Sequence, residues 1–360
     1  MPIAAIHIGT AHYAFKSMIR DMGGELVEPP PTSHHTLSLG TRHSPETVCL
    51  PFKLILGNFI EALELGADTL VFPTSFGPCR MGYYARTHQR ILQELGYHFR
   101  MVTFGAAQGI LKPAKSIFPN ASTARIIKSL VFGIAKLAAL DALQDACRKA
   151  RAMEKEIGSA THILSQGMEA VEQAGDYGSL KRVKRDYLEK FEKLHREEGE
   201  APLRVAMLGE IYVVMETFPN YDMEVELGKL RVEVRRPQSW WWWLKGKYVL
   251  PFFSAPDEKK WLRQAALPYL RRDIGGEAWE TVGGKRVYAR LGYDGLIHLL
   301  PFTCMPEIMA QNIMPTTPES LPVLTIICDE QMGKAGLVTR LEAFTDLLSQ
   351  RRHQLRRQPA

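Results

Sequence analysis

Thr69-Leu70-Val71-Phe72 is a compact apolar run closed by Pro73 and followed by a loop and a helical pattern, and this unit restricts the fold more than any other feature. The same unit recurs on both sides of it. Ile3 to Gly9, Glu25 to Glu28 and His98 to Phe104 read as strands. Helical patterns run from about Pro51 to Leu65 and from about Cys79 to Leu95, each stopped by a glycine, Gly66 and Gly96. Strands alternating with helices at this spacing predict a parallel, doubly wound sheet. The alternation resumes at Leu203 to Leu208, with strands at Arg231 to Val234, Leu296 to Leu300 and Val323 to Ile327, and a last helix from about Leu337 to Gln350. Residues 121–198 hold no strand-like run. They contain an Ala-rich helical stretch, Leu137 to Ala150, and a charge-rich one, Lys181 to Glu197. Pro29 to Gly40 reads as a proline-rich loop. The expected fold is α/β: two Rossmann-like doubly wound domains with a helical insertion. The expected boundaries are 1–120 for the N-terminal α/β domain, 121–200 for the helical segment and 201–360 for the C-terminal α/β domain.

The length of 360 residues suits two cores rather than one, at roughly 150 residues per domain. No apolar run reaches the ~20 residues of a membrane helix, and the first residues lack the basic and apolar regions of a signal peptide. A soluble, cytoplasmic protein without a membrane contact is expected. The net charge is +6, but Lys and Arg are dispersed, so no nucleic-acid partner is expected. Five cysteines, an odd number in a cytoplasmic chain, argue against a disulfide framework.

Three of those cysteines share a setting. Cys79 follows the strand Thr69 to Phe72 and opens a helix. Cys304 follows the strand Leu296 to Leu300 and precedes Pro306-Glu307, a helix-opening pair, and Cys49 precedes Pro51. In open parallel sheets ligands gather beyond the carboxyl ends of the strands. A helix N-terminus carries roughly +0.5 charge, which stabilises a thiolate, and Arg80 beside Cys79 adds to it. The spacing matches neither a zinc finger nor a ferredoxin. From spacing alone two readings stay open: ligands of an anionic metal cluster, or buried apolar thiols, the common fate of free cysteine. Cys328, after the apolar Thr325-Ile326-Ile327, reads as a core residue that could also lie near a cluster, and Cys147 as packed in its helix.

Longer motifs add to this. Ser44-Pro45-Glu46-Thr47-Val48-Cys49-Leu50-Pro51-Phe52-Lys53, Gly66 to Pro73 and Gly77-Pro78-Cys79-Arg80-Met81-Gly82-Tyr83-Tyr84 stand in the first half. Gly209-Glu210-Ile211-Tyr212, Asp294 to His298, Pro301-Phe302-Thr303-Cys304-Met305-Pro306-Glu307, Asp329-Glu330 and Thr339 to Phe344 stand in the second. Together they resemble the superfamily of 2-hydroxyacyl-CoA dehydratase and benzoyl-CoA reductase cluster subunits, in the branch related to acyl-CoA dehydratase activase. The resemblance implies two Rossmann-like domains and one 4Fe-4S cluster held by Cys49, Cys79 and Cys304, with one iron site open, and the three thiols are expected to converge where the two domains face each other. It also implies an ATP-hydrolysing activator protein that delivers low-potential electrons, an acyl-CoA or other small-molecule substrate, and a related cluster subunit or a second copy. The implied activity is a reduction or dehydration. A non-catalytic electron carrier or iron–sulfur scaffold is the alternative.

His34, His35 and His43 lie without ligand spacing in what reads as a solvated loop. Trp240 to Trp243 would point all around a helix and so suggest an interface or a pocket wall. Asp329, Glu330, Arg340 and Glu342 read either as a charged site or as helix caps and surface ion pairs. Neither G-x-x-x-x-G-K-[ST] nor G-x-G-x-x-G occurs, so no ATP or NAD site is expected in this chain.

Overall fold

The computed structural model describes residues 2–74, 78–105, 109–194, 201–244 and 258–357. The chain divides into two compact units, Met1–Ala138 with Glu169–Leu180, and Ala139–Met168 with Lys181–Ala360. Part of the loop read from Thr74 to Pro78 lies outside the described residues.

The first unit begins with β1 (Pro2–Ala5), α1 (Ala11–Asp21), β2 (Glu25–Leu26), α2 (His34–His43), α3 (Leu50–Glu64), β3 (Thr69–Pro73), α4 (Met81–Glu94), β4 (Arg100–Phe104) and α5 (Leu111–Ile117). Its four strands are all parallel, in the order β2-β1-β3-β4. Ile3 stands opposite Thr69, and Val71 opposite Val102. Ile3, Ile19, Met22, Val102, Ile117, Phe118 and Ile126 form one core cluster of this unit.

Helix α3 is buried from Leu50 to Ala62. A helix that is apolar nearly all round belongs inside a core. It packs tightly on α2. A Cβ built on Gly40 would lie 1.8 Å from Lys53 O, and one on Gly57 would lie 2.0 Å from Thr36 O. Only glycine permits that approach of two backbones. The proline-rich loop expected through Gly40 is therefore corrected: from His34 to His43 the chain is helical. Ser33 caps this helix in a reciprocal box with Thr36, and Thr36 Oγ1 donates to the buried Glu61 carboxylate at 2.9 Å. Threonine in place of the usual Glu or Gln at the third helical position hid the start signal.

Three long helices follow: α6 (Thr123–Met153), α7 (Ser159–Gln173) and α8 (Tyr177–Glu192). Residues of α6 and α7 contribute to both units. Then come β5 (Leu203–Gly209), α9 (Ile211–Met215), α10 (Thr217–Asn220), α11 (Met223–Lys229), β6 (Val232–Arg235), α12 (Trp240–Leu244), α13 (Glu258–Ala266), α14 (Ala278–Arg290), β7 (Gly295–Pro301), α15 (Met305–Ile313), a 3-10 turn at Met314–Thr316, β8 (Val323–Cys328) and α16 (Lys334–Arg357). The second sheet repeats the topology of the first. Its order is β6-β5-β7-β8, again all parallel. Every residue of β7 is buried, His298 included, as befits a strand covered on both faces. The fold is thus α/β with two four-stranded parallel sheets, as two Rossmann-like domains require. Among the described residues no helix is long and apolar enough to cross a membrane.

A buried ionic network ties α6 to the second sheet. Glu224 on α11 takes Arg236 Nε at 2.5 Å, Arg148 Nη1 at 3.4 Å and Arg151 Nη1 at 3.7 Å. Burial alone would raise this carboxyl, but the three guanidinium groups outweigh it and hold Glu224 down at about 2. Arg148 also bonds Asp145, and Arg236 Nη1 donates to Gln238 O at 2.7 Å. Removing the carboxylate would leave buried guanidinium charge uncompensated. Glu224→Gln is expected to lower the stability of the chain by about 3–5 kcal/mol, measured by urea denaturation. Lys229→Ala, which removes a half-exposed partner of Glu226, is expected to change it by less than about 0.5 kcal/mol.

Candidate functional site

Parallel pairing places the carboxyl ends of all four strands of a sheet on one side. In each unit the chain leaves the first strand toward one edge and the third toward the other, so the crevice between them is the switch point where ligands bind. In the first unit the switch point lies between β1 and β3, in the second between β5 and β7. Cys79 and Cys304 hold matching places. Each follows the third strand of its sheet, β3 ending at Pro73 and β7 at Pro301, and each precedes the next helix.

Cys49 and Cys304 share local geometry as well. Each is the N-cap of its helix, α3 or α15, in extended conformation, with proline at the second helical position. Thr303, before Cys304, adopts φ +66°, a left-handed conformation costly for threonine. That turn lets Cys304 N donate to Pro301 O at 3.0 Å. Cys49 and Cys304 are buried and Cys79 is half-buried.

The Cys49 and Cys79 segments are joined within the first unit. Arg80 Nη1, next to Cys79, donates to Thr47 O at 3.1 Å, and the Tyr84 hydroxyl on α4 contacts Cys49 Sγ. Below them lies an aromatic cage that sequence reasoning missed. The His88 ring is 4.1 Å from Phe52 and about 6 Å from Phe59 and Phe72, and Phe52 meets Tyr84 edge-on at 4.9 Å. Burial pushes His88 down to about 3, so it is neutral, with Nε2 on Phe52 O at 3.1 Å. The signal was available as an i, i+4 pair, Tyr84 and His88, on one helix face. At the end of β1, His7 stacks on His12, which bonds Gly9 O at 3.2 Å. This pair was also passed over.

In the second unit the crevice is acidic. Gly209, at the end of β5, comes so close to Leu299 O that a Cβ would sit 1.8 Å away. Gln238, wholly buried, clamps the Gly209 backbone through both ends of its amide. This turn delivers Glu210, whose carboxylate accepts from Tyr212 N and Val213 N, each at 3.1 Å. Burial, helped by the charge of Glu307, nevertheless raises Glu210 to about 7. His298 of β7 pairs through Nε2 with Glu307 Oε2 at 2.9 Å, and Thr281 Oγ1 donates to the same oxygen at 2.9 Å.

Cys147 Sγ donates to Ala160 O at 3.4 Å, and burial pushes its thiol up to about 11. Burial, then Glu210, also pushes Cys328 upward. Trp240 and Trp242 are buried and Trp241 and Trp243 half-buried, with Lys259 Nζ 4.1 Å over the Trp242 ring. Asp329 turns the chain by accepting from Gln331 N, and Arg340 ties α16 to Thr325 O. Among the described residues no group of three or more His, Cys, Asp and Glu side chains is assembled to hold a metal ion. Cys49 and Cys79 belong to the first unit and Cys304 to the second.

Glu210 gives the fold a pH dependence of definite sign. Between pH 4.5 and about 7 the unfolded chain has lost this proton while the folded chain keeps it. Stability therefore falls as pH rises through that window. Glu210→Gln is expected to flatten the fall and to stabilise the chain at pH 8 relative to pH 5 by about 1–3 kcal/mol compared with wild type, read from thermal unfolding across the two pH values.

The family described as the CoA enzyme activase uncharacterised domain (DUF2229) matches residues 4–239. The match includes Cys49, Cys79 and Glu210 and stops before Cys304. No curated protein matches the chain. With about two thirds of its length covered by that one description, the chain belongs to the CoA enzyme activase uncharacterised domain family.

Proposed function

We propose that this chain is a cytoplasmic 4Fe-4S protein that takes part in low-potential reduction or dehydration of an acyl-CoA-type substrate. The proposed ligands are Cys49, Cys79 and Cys304. The proposed partners are an ATP-hydrolysing activator protein and a related cluster subunit or a second copy of this chain. The observation that carries the reading is the repeated setting of the thiols. Cys49 and Cys304 are equivalent N-caps, and Cys79 and Cys304 are equivalent residues after the third strand. The family description, which names a CoA enzyme activase, supports the CoA and activator side of it.

The donor set fits such a cluster in kind. All three thiols stand at or just before helix N-termini, where partial positive charge favours the thiolate. Cys147 and Cys328 do not fit, because burial holds both as thiols. A cluster with three protein thiolates supplies one-electron chemistry and an iron open to a ligand. The protein's own part is to orient and shield. The Tyr84 hydroxyl fixes Cys49 Sγ, the neutral His88 cage keeps charge and water from beneath it, and the strained turn at Thr303 sets Cys304.

Anaerobic reconstitution followed by iron and sulfide analysis tests the reading. Wild type, Cys147→Ser and Cys328→Ser are expected to take up equal iron, whereas serine at position 49, 79 or 304 should remove most of it. A wild-type chain that binds no iron, or iron uptake indifferent to all three exchanges, would overturn it.

A further inference from the structure

The segment that runs from β7 through α15 to β8 is set apart by charge. Between Asp294 and Glu319 the only residue of the Asp, Glu, Lys and Arg set is Glu307, and between Glu319 and Asp329 there is none, in a chain that is 23% charged. Glu307 is wholly buried, so these stretches present no charged side chain to solvent. Helix α15 is also inverted relative to an ordinary surface helix. Its inward face holds Pro306, Glu307 and Ala310, with Glu307 closed against His298 and Thr281. Its outward face holds Met305, Ile308 and Met309, between 38% and 43% exposed, and then Asn312. These positions are spaced i, i+3, i+4, i+7 and form one continuous stripe along the helix.

Two further residues widen the stripe into a patch. Phe302, three residues before Met305, is 60% exposed, and its N–H donates to Cys328 O at 2.9 Å. That bond sets it beside Ile327, which is 41% exposed on the edge strand β8. Alternation puts Ile327 on the same sheet face as Val323, and Val323 packs in one core cluster with Ala310 of α15. The strand edge itself is closed to pairing. The carbonyls of Pro322 and Cys328 accept from Leu296 N and Phe302 N, so those of the odd-numbered residues point outward, and Arg340 occupies that of Thr325. A charged side chain on an edge blunts it against strand addition. At roughly 200 Å² for a fully exposed side chain of this size, the five apolar residues present about 450 Å². A standard interface buries about 800 Å² per partner, so the patch supplies the apolar centre and leaves Gln311, Asn312 and Thr316 for the polar rim. Methionine and phenylalanine without charge is the composition of an interface core.

We propose that this face docks a second copy of the chain, α15 against α15 across a two-fold axis. Of the partners named above it selects the second copy, and in that choice it rests on the proposed function; the surface argument itself needs no cluster. Three observations favour a copy over another occupant. The stripe is its own complement, since Met305, Ile308 and Met309 at seam spacing pack into the same seam of an opposing helix, and a two-fold contact needs one self-complementary patch. Two chains of net charge +6 repel each other least where neither exposes charge. An acidic protein or an anionic surface would call for basic residues, and the segment from Gly295 to Cys328 contains no Lys or Arg.

Sedimentation velocity of the full iron-free chain at micromolar concentrations decides this. Wild type is expected to sediment as a species of twice the chain mass of 40.6 kDa. Met309→Glu and Ile308→Glu, which place a charge in the middle of the seam, should each raise the dissociation constant at least about 30-fold. Val131→Glu, at an exposed apolar site on α6 of the first unit, should leave it unchanged. Positions 308 and 309 are exposed in the single chain, so the circular dichroism spectra of both variants should match that of wild type. A wild-type chain that stays monomeric would overturn the proposal and leave the face to a different protein. A dimer that both seam variants retain would overturn it as well, because the copies would then meet elsewhere. Iron uptake separates this from the cluster reading: a monomer that binds iron keeps that reading and loses this one, and a dimer that binds none, and that the seam variants break, does the reverse.

Discussion

Parallel pairing of β1 with β3 and of β5 with β7 is the constraint on which the rest depends. A parallel pair cannot be closed by a tight turn, so each strand must hand the chain to a crossing helix. All the strand-to-helix turns of a sheet then fall on one side. Three features of this chain follow from that. The turns carry Cys79, Glu210 and Cys304, the helices begin there, and the central strands are largely buried. In the first unit the buried helix α3 fills the space over the sheet and brings Cys49 to the same side as Cys79, where Arg80 and Tyr84 bond the two segments together.

The strands were legible because their signal is local and redundant. Leu296 to Leu300, broken only by His298, and Thr69 to Phe72 are mainly apolar and sit between residues that end regular structure, so pattern and punctuation agree. The helix stops at Gly66 and Gly96 were legible for the same reason, and both adopt positive φ, at 92° and 90°. Helix α2 was not. Its identity depends on two backbones meeting, Gly40 against Lys53 and Gly57 against Thr36, a contact that no window on Pro29 to Gly40 contains. In that window prolines and histidines suggest only a loop.

The candidate site divides in the same manner. The three thiols stood out as residue types with chemistry, and their place after strands followed from the pattern. The partners that surround them did not stand out. His88 is one histidine among 11, and nothing local marks it as enclosed by Phe52, Phe59 and Phe72. Glu307 reads as an ordinary helix-opening acid beside Pro306. Its closure against His298 and Thr281 arises only when β7 and α14 are packed. Electrostatic character of this kind belongs to the folded environment, since burial and neighbouring charge, not residue type, decide it.

The division of the chain into units has a consequence for synthesis. The first unit is discontinuous: it closes with Glu169–Leu180, after the chain has contributed Ala139–Met168 to the second. A ribosome adding about 5–20 residues per second therefore presents the first sheet for some seconds before its last segment exists. During that interval the nascent chain exposes the surface that Glu169–Leu180 will cover, including the ring of Phe132 that later meets Tyr177 at 5.0 Å. A chain halted in that stretch holds a complete sheet but an open core. It is the kind of intermediate that chaperones bind, and its lifetime is set by translation speed through α6 and α7 rather than by folding itself.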